Sequence, residues 1–150
     1  MSDIYNYRDA GENLAISGQP TEDQLRDLAA QGFEAVINLA LHNDPKYSLP
    51  DEAGLVRELG LAYTHIPVQF AEPTEQNLLD FFAAMDHTAA RRTLVHCAAN
   101  YRVTAFLGLY RAIRLNQSPD EAFALMRETW TPNPTWSAFI ESMLAKHPSR

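Results

Sequence analysis

No second cysteine accompanies Cys97 in this chain of 150 residues, so an intramolecular disulfide is impossible and a multi-thiolate metal site cannot form within one chain. Any chemistry at Cys97 must use a free thiol. Long hydrophobic runs are missing too: the longest, near residues 105–110, is far too short to span a bilayer, and residues 1–13 carry neither a basic start nor an apolar stretch. A cytoplasmic protein with no membrane partner is therefore expected. Positive charge is scarce, and a formal net charge of −7 disfavours a nucleic-acid partner, because phosphate backbones are held by clustered Lys and Arg. Linkers, repeats and low-complexity segments are absent. With 46% hydrophobic and 21% charged residues the chain has enough apolar side chains for one core, which predicts a single domain over residues 1–150. His42, His65, His87, His96 and His147 lack ligand spacing on one helix, so no metal or other cofactor is expected.

What is present alternates. Short β-like runs follow helix-like ones, the pattern of an α/β domain, here a mostly parallel central sheet of four to five strands flanked by helices in three αβα layers. A first strand is predicted at residues 14–17. Thr21 and Gln24 then form a capping box ahead of Leu25, Leu28 and Ala29. Residues 34–39 read as a buried strand, 40–50 as a loop, 51–59 as a helix and 62–67 as a further strand. Thr74 caps a helix whose Leu78, Phe81, Phe82 and Met85 form one inward stripe. After a strand over residues 93–96, the segment 102–115 is apolar nearly all round and is expected to be the most buried helix. Two more helices follow, one opened by Ser118-Pro119-Asp120-Glu121 and one by Asn133-Pro134 with Trp136, Phe139, Ile140 and Met143 behind it.

The chemistry concentrates in Thr93-Leu94-Val95-His96-Cys97-Ala98-Ala99-Asn100-Tyr101-Arg102, an apolar strand running into the lone cysteine with an arginine after it. Ligands of parallel sheets sit where loops leave the carboxyl ends of strands, and a strand-loop-helix turn adds the free N–H groups of a helix N-terminus. Helix dipole, backbone donors and a guanidinium all favour thiolate over thiol. Arg102 can offer two parallel hydrogen bonds to a phosphoryl group, bonds that tighten as charge spreads over its oxygens in the transition state. Between Asp86 and Leu115 five arginines face one aspartate, a local excess of four positive charges in a chain whose total is −7. Geometry removes most of them from the site. At about 3.3 Å per residue Arg91 and Arg92 lie at the far end of the strand, and Arg111 and Arg114 fall late on the helix, where its dipole accounts for them. His96 reads as an internal hydrogen-bonding strut for the loop, and the Thr104 hydroxyl either supports the loop by bonding the sulfur or is an ordinary helix hydroxyl. Tyr101 either stacks over the mouth or packs into the core. The loop has no glycine, so a residue with positive φ, if needed, falls to Asn100.

His96-Cys97 followed by Arg102, together with Ser17-Gly18-Gln19-Pro20-Thr21, Val36-Ile37-Asn38-Leu39 and His65-Ile66-Pro67-Val68, resembles the bacterial dual-specificity-phosphatase-like family related to the domain fused to β-lactamase-like hydrolases. The resemblance covers residues 14–113 and implies the cysteine-phosphatase fold. It implies a phosphorylated substrate or other small oxyanion as partner, Cys97 as nucleophile, Arg102 as clamp, and a cradle made by the backbone of Ala98, Ala99, Asn100 and Tyr101. Two features depart from that family's pattern. Four residues separate Cys97 from Arg102 where the general phosphatase signature has one more, a length similar to the rhodanese sulfurtransferase loop, in which the cysteine carries a persulfide. The loop after residues 62–67 also lacks the usual aspartate acid; Gln69 stands in its place, and Glu72 is the carboxylic acid on that loop, with Asp51 and Glu52 as weaker candidates for this role. The expectation is a cysteine-dependent phosphatase working through a cysteinyl-phosphate. A sulfurtransferase using a Cys97 persulfide and a non-catalytic phosphate- or sulfate-binding module are the alternatives.

Overall fold

In the computed structural model of the protein, which describes residues 3–41 and 49–148, five strands form one sheet in the order β1-β2-β5-β3-β4. These are β1 (Arg8–Gly11), β2 (Leu14–Ser17), β3 (Ala35–Asn38), β4 (Ala62–His65) and β5 (Thr93–His96). The last four run parallel, in a register that brings Ser17, His96, Asn38 and His65 side by side at their carboxyl ends. β1 is the exception: it pairs antiparallel with β2 at the edge, through a register shift between Asp9 and Gly11. That strand was not anticipated from the sequence. Arg8 and Asp9 give it no apolar alternation, and an edge strand with one solvated side needs none.

The helices are α1 (Glu22–Ala30), α2 (Glu52–Glu58), α3 (Glu75–His87), α4 (Tyr101–Ile113), α5 (Pro119–Ala122), α6 (Ala124–Thr129) and α7 (Pro134–Lys146). Alternation along each strand sends its side chains to two cores. Ala15, Val36 and Leu94 face Leu25, Leu28 and Val56 of α1 and α2, whereas Ile16, Ile37 and Val95 face the layer of α3 to α7. Sheet, α1–α2 and α3–α7 are thus the three layers expected. No helix among the described residues is long and apolar enough to cross a membrane.

Local signals place the helix ends. Thr21 and Thr74 close full capping boxes with Gln24 and Asn77, and Asn133 caps α7 with Pro134 at its first position. The helix expected after Ser118 divides into α5 and α6 at Phe123, whose ring packs where a side chain on Gly108 would stand: a Cβ there would meet Phe123 Cδ1 at 2.2 Å. α4 is buried from Arg102 to Tyr110, so the turn that feeds it, from Cys97 to Asn100, is held between the middle strand and the most enclosed helix. Most of the loop predicted over residues 40–50, including His42, Asp44 and Tyr47, lies outside the described residues.

Candidate active site

Every carbonyl of the turn after β5 is taken by a donor from outside the turn or from α4. Cys97 O accepts from His96 Nδ1 (3.2 Å), Ala98 O from the Gln19 N–H (2.9 Å), Ala99 O from Asn6 Nδ2 (3.0 Å), Asn100 O from the Thr104 N–H (3.2 Å) and Tyr101 O from Thr104 Oγ1 (2.9 Å). The N–H groups of Ala98, Ala99, Asn100, Tyr101 and Arg102 have no carbonyl acceptor among the described residues. A backbone arc with carbonyls turned outward and N–H groups left over is an anion nest, and here it opens onto the N-terminus of α4. Asn100 supplies the left-handed residue, at φ 71, that closes the turn without glycine. Cys97 itself is fully buried and anchored by its N–H to Ser17 O at 3.3 Å.

Gly18 lets the neighbouring segment approach this arc. Its N–H donates to Tyr5 O at 2.7 Å, and a Cβ added there would lie 2.6 Å from Ala98 O and 2.8 Å from Tyr5 Cδ2. Gly18→Ala is therefore expected to cost about 1–3 kcal/mol by overpacking. Because the clash falls on the cradle backbone, the same variant should bind inorganic phosphate more weakly; thermal melts with and without phosphate check both effects.

Behind Cys97 lies a buried polar chain. His96, fully buried, presents Nδ1 to Cys97 O and Nε2 to Glu52 Oε2 at 2.6 Å, while Gln19 Nε2 donates to Glu52 Oε1 at 2.8 Å. Burial pushes the Glu52 carboxyl up, but the charge and hydrogen bond of His96, the Gln19 bond and the charge of His65 together outweigh it and hold Glu52 below the ordinary 4.5. Glu52 is thus a carboxylate, and a carboxylate and a carbonyl both accept. The imidazole lies between these two acceptors, one on Glu52 and one on the turn. Tyr63, pushed up to about 12 by burial and then by the Glu52 charge, stays neutral and accepts from Asn38 Nδ2 at 3.0 Å.

Arg102 stands in the first turn of α4. Only 8% exposed, it donates from Nη1 to Val68 O at 2.8 Å, which ties the cradle to the segment after β4; its other N–H groups have no protein acceptor among the described residues. Beside it, Tyr101 stacks on Trp130 with ring centroids 4.7 Å apart and planes 4° from parallel, and Phe70 packs 5.7 Å from Trp130.

Residues 6–137 match the family described as a DSP-PTPase phosphatase fused to NAD+ kinase. The chain belongs to this family. A β-lactamase hydrolase-like protein of Xylella fastidiosa strain Temecula1 is 33% identical over 123 residues, 78% of this chain and 27% of that protein, so the chain spans about a quarter of that relative's length. A DUF442 protein of Shewanella putrefaciens CN-32, described as a candidate phosphatase, is 33% identical in its crystal structure, with a TM-score of 0.86 over 97% of this chain and 95% of that one. The catalytic core of the PP-IP phosphatase SIW14 of S. cerevisiae, in complex with citrate, has the same fold: TM-score 0.73, 15% identity, 95% of this chain and 93% of that one.

Within this DSP-PTPase chain the residues singled out from sequence separate into groups. Cys97, Ala98, Ala99, Asn100, Tyr101 and Arg102 form one turn, with His96 bracing it. Thr104 serves a different bond than one to sulfur: its hydroxyl donates to Tyr101 O and accepts from Trp130 Nε1 at 3.0 Å, so it braces the Tyr101–Trp130 stack. Glu72 is exposed on the loop after β4, its N–H donating to Gln69 O at 3.1 Å. The other arginines work elsewhere. Arg92 donates to Gln31 O and lies over the Phe33 ring, Arg111 donates to Ala10 O, and Arg114 pairs with Asp86. Sequence reasoning missed the bracing by Glu52 and Asn6. Glu52 reads only as a weaker candidate acid, not as a partner of His96, and Asn6 lies in a polar N-terminal stretch. Gln19 carried the one available signal, as part of the Gly-Gln-Pro segment.

Proposed function

We propose that this chain is a cysteine-dependent phosphatase of dual-specificity type that hydrolyses a phosphomonoester, acting in the cytoplasm as one domain over residues 1–150. The observation that carries the reading is the turn around Cys97, whose N–H groups are left over while its carbonyls are bonded away, with the Arg102 fork beside it. In the first step the Cys97 thiolate attacks phosphorus, the bond to the leaving oxygen breaks, and that oxygen takes a proton from the Glu72 carboxylic acid. Charge spreading over the three equatorial oxygens meets the N–H groups of Ala98 to Arg102 and the guanidinium. In the second step water attacks phosphorus, the S–P bond breaks, the water's proton returns to Glu72, and phosphate leaves with the thiolate restored.

The test is acid-quenched turnover of an aryl phosphate, with a phosphoryl mass increment on the peptide containing Cys97 as the expected result. Sulfur transfer from thiosulfate with a persulfide on that peptide, and no phosphate release, would replace this reading with the sulfurtransferase. Oxyanion binding without either turnover would leave a binding module. Arg102→Lys keeps the charge but loses the planar fork, so kcat/KM for the aryl phosphate should fall about 10²-fold; steady-state kinetics check it.

A further inference from the structure

The turn that precedes β1 holds the cradle from outside. Asn6 Nδ2 donates to Ala99 O at 3.0 Å, and Asn100 Nδ2 donates back to Asn6 O at 2.9 Å, so two asparagines 94 residues apart exchange side-chain-to-backbone bonds. Both sit in left-handed backbone, at φ 52 and 71. Few residue types tolerate that conformation, and asparagine is one. The Ala99 bond has a directional consequence. In a trans peptide C=O and N–H point opposite ways, so holding Ala99 O outward turns the N–H of Asn100 inward. The Gln19 N–H does the same for the preceding peptide, holding Ala98 O and turning the N–H of Ala99.

A second observation comes from Asn100, which is fully buried and whose Oδ1 is a buried side-chain acceptor with no partner among the described residues. Leaving a buried acceptor unpaired is costly. Rotating the amide would not repair it, since that would set Oδ1 against Asn6 O and forfeit the bond from Nδ2. The amide orientation is therefore fixed by the clip to Asn6, at the expense of Oδ1.

We infer that Asn6 is a positioning residue of the oxyanion site: through Ala99 O it aims the Asn100 N–H at the bound anion, a task that in a glycine-free turn falls to a clip from the N-terminal segment. The inference rests on reading residues 97–102 as the cradle of a phosphatase. Asn6→Gly keeps the left-handed backbone and the Asn6 carbonyl and removes only the amide donor; Asn6→Ser, whose hydroxyl is too short to reach, is the second variant. Tungstate, a tetrahedral oxyanion, is titrated calorimetrically, and amide exchange is followed over the peptide covering residues 97–103. Both variants should bind tungstate about five-fold more weakly than the native protein, exchange faster in that peptide, and lose kcat/KM for an aryl phosphate by the same factor. Affinity within two-fold of native in both variants, with only the melting temperature lowered, would make Asn6 merely structural and overturn the inference. A native protein that binds tungstate but turns over no phosphate ester would overturn the phosphatase reading and leave the role of Asn6 standing. One that binds no tungstate at all would overturn both.

Discussion

Cys97→Ser is expected to leave a folded protein that still binds tungstate but hydrolyses an aryl phosphate at least about 10³-fold more slowly, roughly 4 kcal/mol in the barrier. The substitution replaces sulfur with a smaller oxygen at a fully buried position whose backbone is held at both ends, by Ser17 O on the Cys97 N–H and by His96 on the Cys97 carbonyl. Neither anchor involves the side chain, so the cradle should survive. The chemistry should not. A serine hydroxyl gives up its proton far less readily than a thiol, and the turn offers no base to remove it: His96 has one nitrogen on Cys97 O and the other on Glu52. Steady-state hydrolysis, tungstate calorimetry and a melting curve on the same preparation separate the three effects. Undiminished hydrolysis in the variant would exclude a cysteinyl-phosphate.

How much of this was legible beforehand differs from residue to residue. The β5-turn-α4 unit could be read because three local signals agree there: a short strand-like run centred on Leu94 and Val95, a lone cysteine at its end and an arginine on the helix that follows. The absence of glycine pointed to Asn100 as the left-handed residue, and it has φ 71. A capping box fixed the start of α1 and the Thr74 cap that of α3, because such signals depend only on residues three apart. What was not legible is what depends on contacts across the fold. Arg8–Gly11 is a strand because β2 offers it an edge and because Arg8 reaches Thr129 and Glu128, 121 and 120 residues away. In sequence Glu52 is only a weaker candidate acid at the start of a helix, and only the register of β3 and β5, which sets His96 at the same level as Asn38, brings the buried imidazole over it. His96 was read as a strut, and its ring does brace the turn; its dependence on a carboxylate from another element could not be read.

That dependence carries the second large effect. Glu52→Ala should destabilise the protein by about 3–5 kcal/mol, because it strands a fully buried imidazole with Nε2 facing no acceptor and also removes the acceptor of Gln19 Nε2. Glu52→Gln keeps the volume and one acceptor oxygen, so its cost should be nearer 1–3 kcal/mol. The pH dependence distinguishes a buried carboxylate from mere packing. The folded carboxyl titrates below the ordinary 4.5, so its contribution is complete above that pH and is lost as pH falls through the folded value. Urea denaturation should therefore find the native protein well ahead of Glu52→Gln near neutrality, with the gap narrowing only below about pH 4.5. A gap that stays constant down to about pH 3 would mean that Glu52 contributes shape alone. The consequence for activity follows from the same chain of bonds. Glu52 holds His96, His96 holds Cys97 O, and that carbonyl must stay outward for the turn to keep its N–H groups facing inward. Glu52→Gln should thus lower kcat while the protein remains folded at neutral pH, an effect that a glutamate acting only as a packing residue at the start of α2 would not produce.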